Sequence, residues 1–201
     1  MRTSSHRNAG FTMVEMLTVI AIISILAGVL LPVLSTARNR ANVAKAQAAV
    51  SSLTTAFTAY YTEYGRWPVT DGTPNVTYIV DTNMVILLQG TDVPTGTPAV
   101  TPTGTLGTLG GNPRRIVFMN FNAKDLNSAG AFVDPWQGIY RCRFDTQYAN
   151  QIQDPFVASI KLITAGALLW SDGPDKKPAN GVADDINGDK SAANADNIIS
   201  W

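Results

Sequence analysis

Oxygen-bearing side chains crowd one end of this chain. Residues 171–201 hold Asp172, Asp175, Asp184, Asp185, Asp189 and Asp196, several Asn and Gly, and no glutamate. Hard oxygen donors on a turn-rich stretch are what calcium requires, since it takes six to eight oxygens in loose geometry. One spacing is EF-loop-like. Asp185, Asn187, Asp189 and Ser191 fall at positions one, three, five and seven, and Asp196 at twelve. Lys190 stands at the sixth position in place of glycine, and aspartate replaces the bidentate glutamate. The same Asp/Asn-rich composition also makes solvated loops that bind no metal. Other chemistry has few carriers. The one histidine is His6 and the one cysteine is Cys142, so no intrachain disulfide and no thiolate cluster can form. No Gly-rich phosphate loop or nucleophile motif is present. Acid–base work by paired aspartates is the catalytic chemistry that composition leaves open. A formal net charge of zero argues against a generic nucleic-acid surface.

The other end carries a single acid, Glu15, at the edge of an apolar run. Met16 to Leu34 is 19 residues without a charge, about 28 Å of helix at ~1.5 Å per residue and enough to cross a bilayer. A polar leader with Arg2 and Arg7 precedes it and should stay cytoplasmic. An ordinary secretory signal is cut after its apolar core, whereas here the region past Pro32 runs on into a helical pattern. A carboxylate at the edge of a membrane span is costly unless paired. The plainer reading of Glu15 is an acid near a helix start, favoured by the macrodipole.

The segment Gly10-Phe11-Thr12-Met13-Val14-Glu15 resembles the class III signal of type IV pilins and type II secretion pseudopilins. The resemblance covers roughly residues 1–35. It implies cleavage between Gly10 and Phe11 by a prepilin peptidase, N-methylation of Phe11, and retention of the apolar segment. Glu15 would then neutralise the Phe11 amine of a neighbouring subunit in a filament. Pro32 falls where the family carries a helix-loosening proline, whose lost hydrogen bond can be met locally in a membrane helix. Three regions follow: a leader (1–10), a transmembrane or filament-core segment (11–36) and a periplasmic globular domain (37–201). Cleavage would remove His6 and two of the 15 basic residues, leaving 13 against 15 acidic.

Past Pro32, Val43, Ala46, Val50, Leu53, Phe57, Tyr60 and Tyr64 recur at spacings of three and four, one apolar stripe on a helix face. Gly65 and then Pro68 supply a stop. The pattern predicts one helix from about Thr12 to Tyr64, its second half laid on a sheet. Strand-like sequence is expected at 76–80, 115–121, 139–144 and 159–164, with 167–170 a short continuation and a short helix through 84–88, arranged as an antiparallel meander. The Thr/Gly/Pro-rich stretch from Thr91 to Pro113 reads as a surface loop or mobile spacer. The fold class expected is α+β and pilin-like: a long N-terminal helix packed on a small antiparallel sheet, with a calcium-loop-like C-terminus.

Tyr60 to Pro68 is similar to the helix exit of major pseudopilins, and Asp134-Pro135-Trp136-Gln137-Gly138-Ile139-Tyr140 to their Asp-Pro-Trp-Gly-x-Pro-Tyr signature, with Gln137 inserted and Ile139 in place of proline. Major pseudopilins bind calcium in a loop opening Ser-x-Gly-x-Asp and closing before a terminal tryptophan. Ser171-Asp172-Gly173-Pro174-Asp175 matches the opening and Asp196-Asn197-Ile198-Ile199-Ser200-Trp201 the close. The resemblance thus implies a calcium site on Ser171, Asp175, Asp196 and Asn197, beside the EF-like set and the unliganded tail. It implies a non-enzymatic subunit of a type II secretion pseudopilus: single-pass in the inner membrane, its C-terminal domain periplasmic. The implied partners are the prepilin peptidase, other pseudopilin subunits in homo- and hetero-filaments, an inner-membrane assembly platform, and lipid before assembly, with no nucleic acid. The alternative is a type IV pilin or minor pilin for adhesion, motility or DNA uptake.

Overall fold

The computed structural model describes residues 12–70, 73–91, 93–102, 104–156, 161–174 and 197–201, with backbone only at 29–33 and 104–106. Two units are distinguished, Met1–Ala41 and Asn42–Trp201. Helix α1 runs Met13–Tyr64, as the periodicity predicts. In the first unit its described large apolar side chains are exposed, from Val19 at 46% to Met13 at 89%.

In the second unit α1 buries one stripe. Ala46, Val50, Leu53, Ala56, Phe57 and Tyr60 are at most 2% exposed, which is the face the three–four spacing nominates. Gly65 ends the helix in the left-handed conformation (φ 65°), its N–H donating to the Tyr61 carbonyl at 2.8 Å, a glycine C-cap. The stripe lies on a sheet: Phe57 meets Phe144 edge-on at 5.0 Å, and Trp67 stacks on Phe144 at 5.5 Å.

That sheet has four strands in the order β1-β4-β7-β8: β1 (Tyr78–Ile79), β4 (Arg141–Phe144), β7 (Ala167–Ser171) and β8 (Ile198–Ile199). All three pairings are antiparallel. Helix α2 (Thr82–Leu88) follows β1, capped by Asp81, whose carboxylate accepts from the Met84 N–H at 3.0 Å. The α+β class and the expected strand and short helix in this region stand.

Four expectations are corrected. Residues 91–113 are not a loose spacer among those described. β2 (Pro98–Thr101) and β3 (Gly104–Thr108) form a hairpin, and Val93, Ala99 and Leu109 are buried. Threonine is a strand former, and three widely spaced apolar residues anchor the hairpin where mean composition looks polar. The expected strand 115–121 is absent. Arg115 takes φ 53°, and the backbone behind it serves other partners: Phe118 and Met119 N–H both donate to the Leu88 carbonyl at the end of α2. Leu162–Ile163 (β6) pairs with Ile152–Gln153 (β5) as a separate ribbon, not as the third strand of a meander. Ala167–Trp170 is no minor continuation, since β7 sits between β4 and β8 with Leu168, Leu169 and Trp170 fully buried.

Candidate processing segment and calcium loop

Gly10 and Phe11 lie outside the described residues; the described chain opens at Thr12. There the structure contains a motif the sequence reading passed over. The Thr12 N–H and hydroxyl both donate to Glu15 Oε2, at 2.9 and 2.7 Å, while the Glu15 N–H donates to Thr12 Oγ1 at 3.2 Å. This is a capping box, Thr-x-x-Glu, which satisfies orphan donors at a helix start reciprocally. Glu15 therefore caps the start of its own helix in the isolated chain. Behind it, the exposed side chains from Met16 to Leu26 carry no charge. Among the described residues no helix is long and apolar enough to cross a membrane. The side chains of 29–33, which complete the apolar run in the sequence, are outside that description.

At the C-terminal end, β7 and β8 pair with Ser171 opposite Ile198 and Trp170 opposite Ile199. The Ser200 N–H donates to the Leu169 carbonyl at 3.0 Å, and the Leu169 N–H to Ser200 Oγ at 2.9 Å. Continuing this register sets Asp172 opposite Asn197, so the two ends of the Asp-rich segment meet at one place on the sheet. Of the candidate ligands, Ser171 and Asn197 are described, Asn197 lying next in sequence to the partner of Ser171. Asp175, Asp185, Asn187, Asp189, Ser191 and Asp196 lie outside the described residues. Among the described residues no three His, Cys, Asp or Glu side chains gather as a metal group.

Ser171 is wholly buried, and its hydroxyl donates to Asp134 Oδ2 at 2.5 Å while accepting from the Gly173 N–H at 3.1 Å. Asp134 is the hub of the region. Its Oδ1 accepts from the Trp136 and Gly138 N–H groups at 2.9 and 2.7 Å, and Gln137 takes φ 71° to close the turn. A Cβ on Gly138 would lie 2.9 Å from Asp134 Oδ2, so a larger residue here must displace that carboxylate. Asp172 is buried beside it. Its Oδ2 receives Arg141 Nε and Nη2, both at 2.8 Å, while Oδ1 has no partner among the described residues. Burial raises the Asp172 carboxyl above its ordinary range, and the Arg141 charge opposes the rise. Sequence reasoning flagged the Asp134-Pro135-Trp136 turn and the Ser171-x-Gly173 opening separately. That they are one hydrogen-bonded assembly was not legible, because the link spans 37 positions.

Comparison with known proteins bears on the N-terminal segment. Residues 5–31 match the family model described as the prokaryotic N-terminal methylation motif. Over 59 residues the chain is 42% identical to the type IV major pilin protein PilE1 of Neisseria gonorrhoeae, covering 29% of this chain and 36% of that protein. The fimbrial protein of Neisseria meningitidis serogroup B is 42% identical over the same length, 35% of its own chain. The match thus spans about a third of these relatives. No solved structure matches. With this motif leading into a long helix, and that helix packed on an antiparallel sheet, the chain is similar to proteins of the type IV pilin superfamily.

Proposed function

We propose that this protein is a structural filament subunit, made as a membrane-anchored precursor, cut between Gly10 and Phe11 by a prepilin peptidase, and assembled with like subunits by an inner-membrane platform. The observation that carries this is the exposed, uncharged helical surface from Met16 to Leu26 behind a prepilin motif. Such a surface is stable in lipid before assembly and against other apolar helices after it, so transfer from one to the other needs no change in its chemistry. The chain's own part in assembly is Glu15, which would pair with the Phe11 amine of a neighbour, because a charge left unpaired in that setting is heavily penalised.

Glu15→Gln tests this against the capping role. Glutamine also completes a capping box, so the helix start survives while the charge is lost. The reading expects Glu15→Gln to be cleaved and methylated normally, by intact mass, yet to fail to enter sedimentable filaments. Filaments at wild-type level would reduce Glu15 to a helix cap.

Within the superfamily we favour the type II secretion pseudopilus, on the Asp134-Pro135-Trp136 turn and the calcium-loop-like tail. Calcium, held by Asp175 and Asp196 with Ser171 and Asn197 at the loop base, would pin the segment to the sheet and offset the repulsion of its clustered carboxylates. Melting of the full-length protein in detergent, with calcium and with EGTA, tests it. A calcium-dependent rise lost in Asp175→Ala/Asp196→Ala supports the secretion branch. The second reading, a type IV pilin or minor pilin, is favoured by the names of the relatives and would be preferred if calcium produces no rise.

A further inference from the structure

In the first unit, α1 carries two charges past its apolar run, Arg38 and Arg40, and both residues are exposed. No acid stands between Glu15 and Glu63 in the sequence, so neither arginine has a carboxylate three or four residues away on its own helix. The ion pairs found among the described residues involve neither of them, whereas the next cation, Lys45, is paired with Asp125. We propose that Arg38 and Arg40 clasp the phosphate groups of two anionic lipids at the membrane face opposite the leader, and so fix how deep the helix sits before assembly. The proposal rests on the membrane-anchored precursor reading and names the lipid chemistry that the anchor recognises.

Depth places them at the phosphates. The uncharged run ends at Leu34, and Arg38 and Arg40 follow it by about 6 and 9 Å at ~1.5 Å per residue. The headgroup layer beyond the hydrocarbon is about 5–7 Å thick on each side. Helical side chains tilt toward the helix N-terminus, so both arginines lean back toward the bilayer, and their apolar stems let the guanidinium reach its surface. That group is a planar donor fork, which matches a phosphate bidentately. Glu15 lies 23 positions before Arg38, about 35 Å along the helix. Acid and arginine thus mark the two faces of one bilayer.

Angular spacing favours lipid over other carriers of phosphate. Residues two apart in an α-helix point about 200° apart, so Arg38 and Arg40 lie on opposite sides of α1. A nucleic acid or a phosphorylated protein docking on one side would meet one of them. Lipid surrounds the helix and meets both. Their position also runs against the charge rule for membrane spans. Cations near a span favour its cytoplasmic side, and the leader has only Arg2 and Arg7 to set against Arg38 and Arg40. Arginines on the far side weaken that orientation signal, a cost that attraction to the phosphates of that face offsets. Near an anionic lipid surface each such cation should contribute about fivefold to affinity.

Native mass spectrometry of the full-length protein, released from a non-ionic detergent with added phosphatidylglycerol or phosphatidylcholine, tests this. The parent should retain up to two phosphatidylglycerol molecules, with at least about fivefold preference over phosphatidylcholine. Arg38→Gln and Arg40→Gln should each leave one, and Arg38→Gln/Arg40→Gln should lose the preference. Arg38→Lys/Arg40→Lys, which keeps the charge but not the fork, should retain a weaker one. All should melt with the parent, since both residues are exposed. A preference that survives in the double glutamine variant, or that the parent lacks, would overturn the clasp. Loss of the bound lipid to a short DNA duplex would assign the arginines to nucleic acid and overturn it too. Carbonate extraction of membranes reports the anchor separately. A parent that resists extraction keeps the precursor reading whatever the lipid result, and a parent that is extracted would overturn both.

Discussion

The Ser171 hydroxyl donates to Asp134 Oδ2 at 2.5 Å, joining the end of β7 to a turn 37 residues earlier. The same carboxylate takes the N–H groups of Trp136 and Gly138 and is 2% exposed. One buried anion thus holds turn and strand together, and removing it leaves three donors without an acceptor. Asp134→Ala should lower unfolding free energy by about 3 kcal/mol, and Ser171→Ala by about 1 kcal/mol. Urea unfolding followed by tryptophan fluorescence measures both, and equal losses would show that the two backbone bonds contribute little.

Arg141 and Asp172 form a second buried contact beside the first, their side chains 16% and 6% exposed. Removing one partner strands a buried charge. Arg141→Met should therefore cost about 3–5 kcal/mol, while Arg141→Met combined with Asp172→Leu recovers most of the loss. A double-mutant cycle by chemical unfolding checks this. A double variant no better than the single would assign the loss to packing of the arginine stem.

Lys45 lies 2.6 Å from Asp125, and its hydrogen bond is the main reason the Asp125 carboxyl is held below its ordinary range, against an opposing effect of burial. A lowered folded-state value means stability that is present above the unfolded carboxyl's pKa of about 3.9 and is lost as pH falls through the folded one. Lys45→Met should thus be less stable than wild type near neutrality by roughly 0.5–1 kcal/mol. The difference should vanish on acidification through the lowered folded-state range of the Asp125 carboxyl. Paired melting curves across pH test it, and a difference that persists in acid would mark packing, not charge.

Two glycines should respond differently to alanine. Gly65 has φ 65° with nothing within 4 Å of an added Cβ, so Gly65→Ala pays only the left-handed backbone cost, about 1 kcal/mol. Gly138→Ala drives a Cβ against Asp134 Oδ2 and should cost more, about 2–4 kcal/mol, by displacing the carboxylate from its donors. Thermal melting of the two variants gives the order directly.

What the sequence made legible follows from range. The stripe from Ala46 to Tyr60 repeats within one helix, and its burial followed the spacing residue by residue. Gly65 as a cap and Arg141–Phe144 as a half-buried strand are likewise local patterns. The hairpin at Pro98–Thr108 was hidden because Thr and Gly composition resembles loop, and only Val93, Ala99 and Leu109 anchor it. Arg115–Phe121 looked like a strand by composition, but its hydrogen bonds go to Asn112 and Leu88, a choice made by tertiary placement. The candidate calcium segment was legible as chemistry, not as architecture. The pairing of Ser171 with Ile198 at its base links positions on either side of the acidic stretch, which no local pattern encodes.

The position of β8 has a consequence for biogenesis. Without Ile198 and Ile199, β4 and β7 can pair but the outer side of β7 lacks its partner. An unpaired edge of that kind templates association with other chains. Residues 198 and 199 shield that edge once they pair with β7. Disrupting that pairing, as with Ile198→Pro, should therefore be felt first as aggregation.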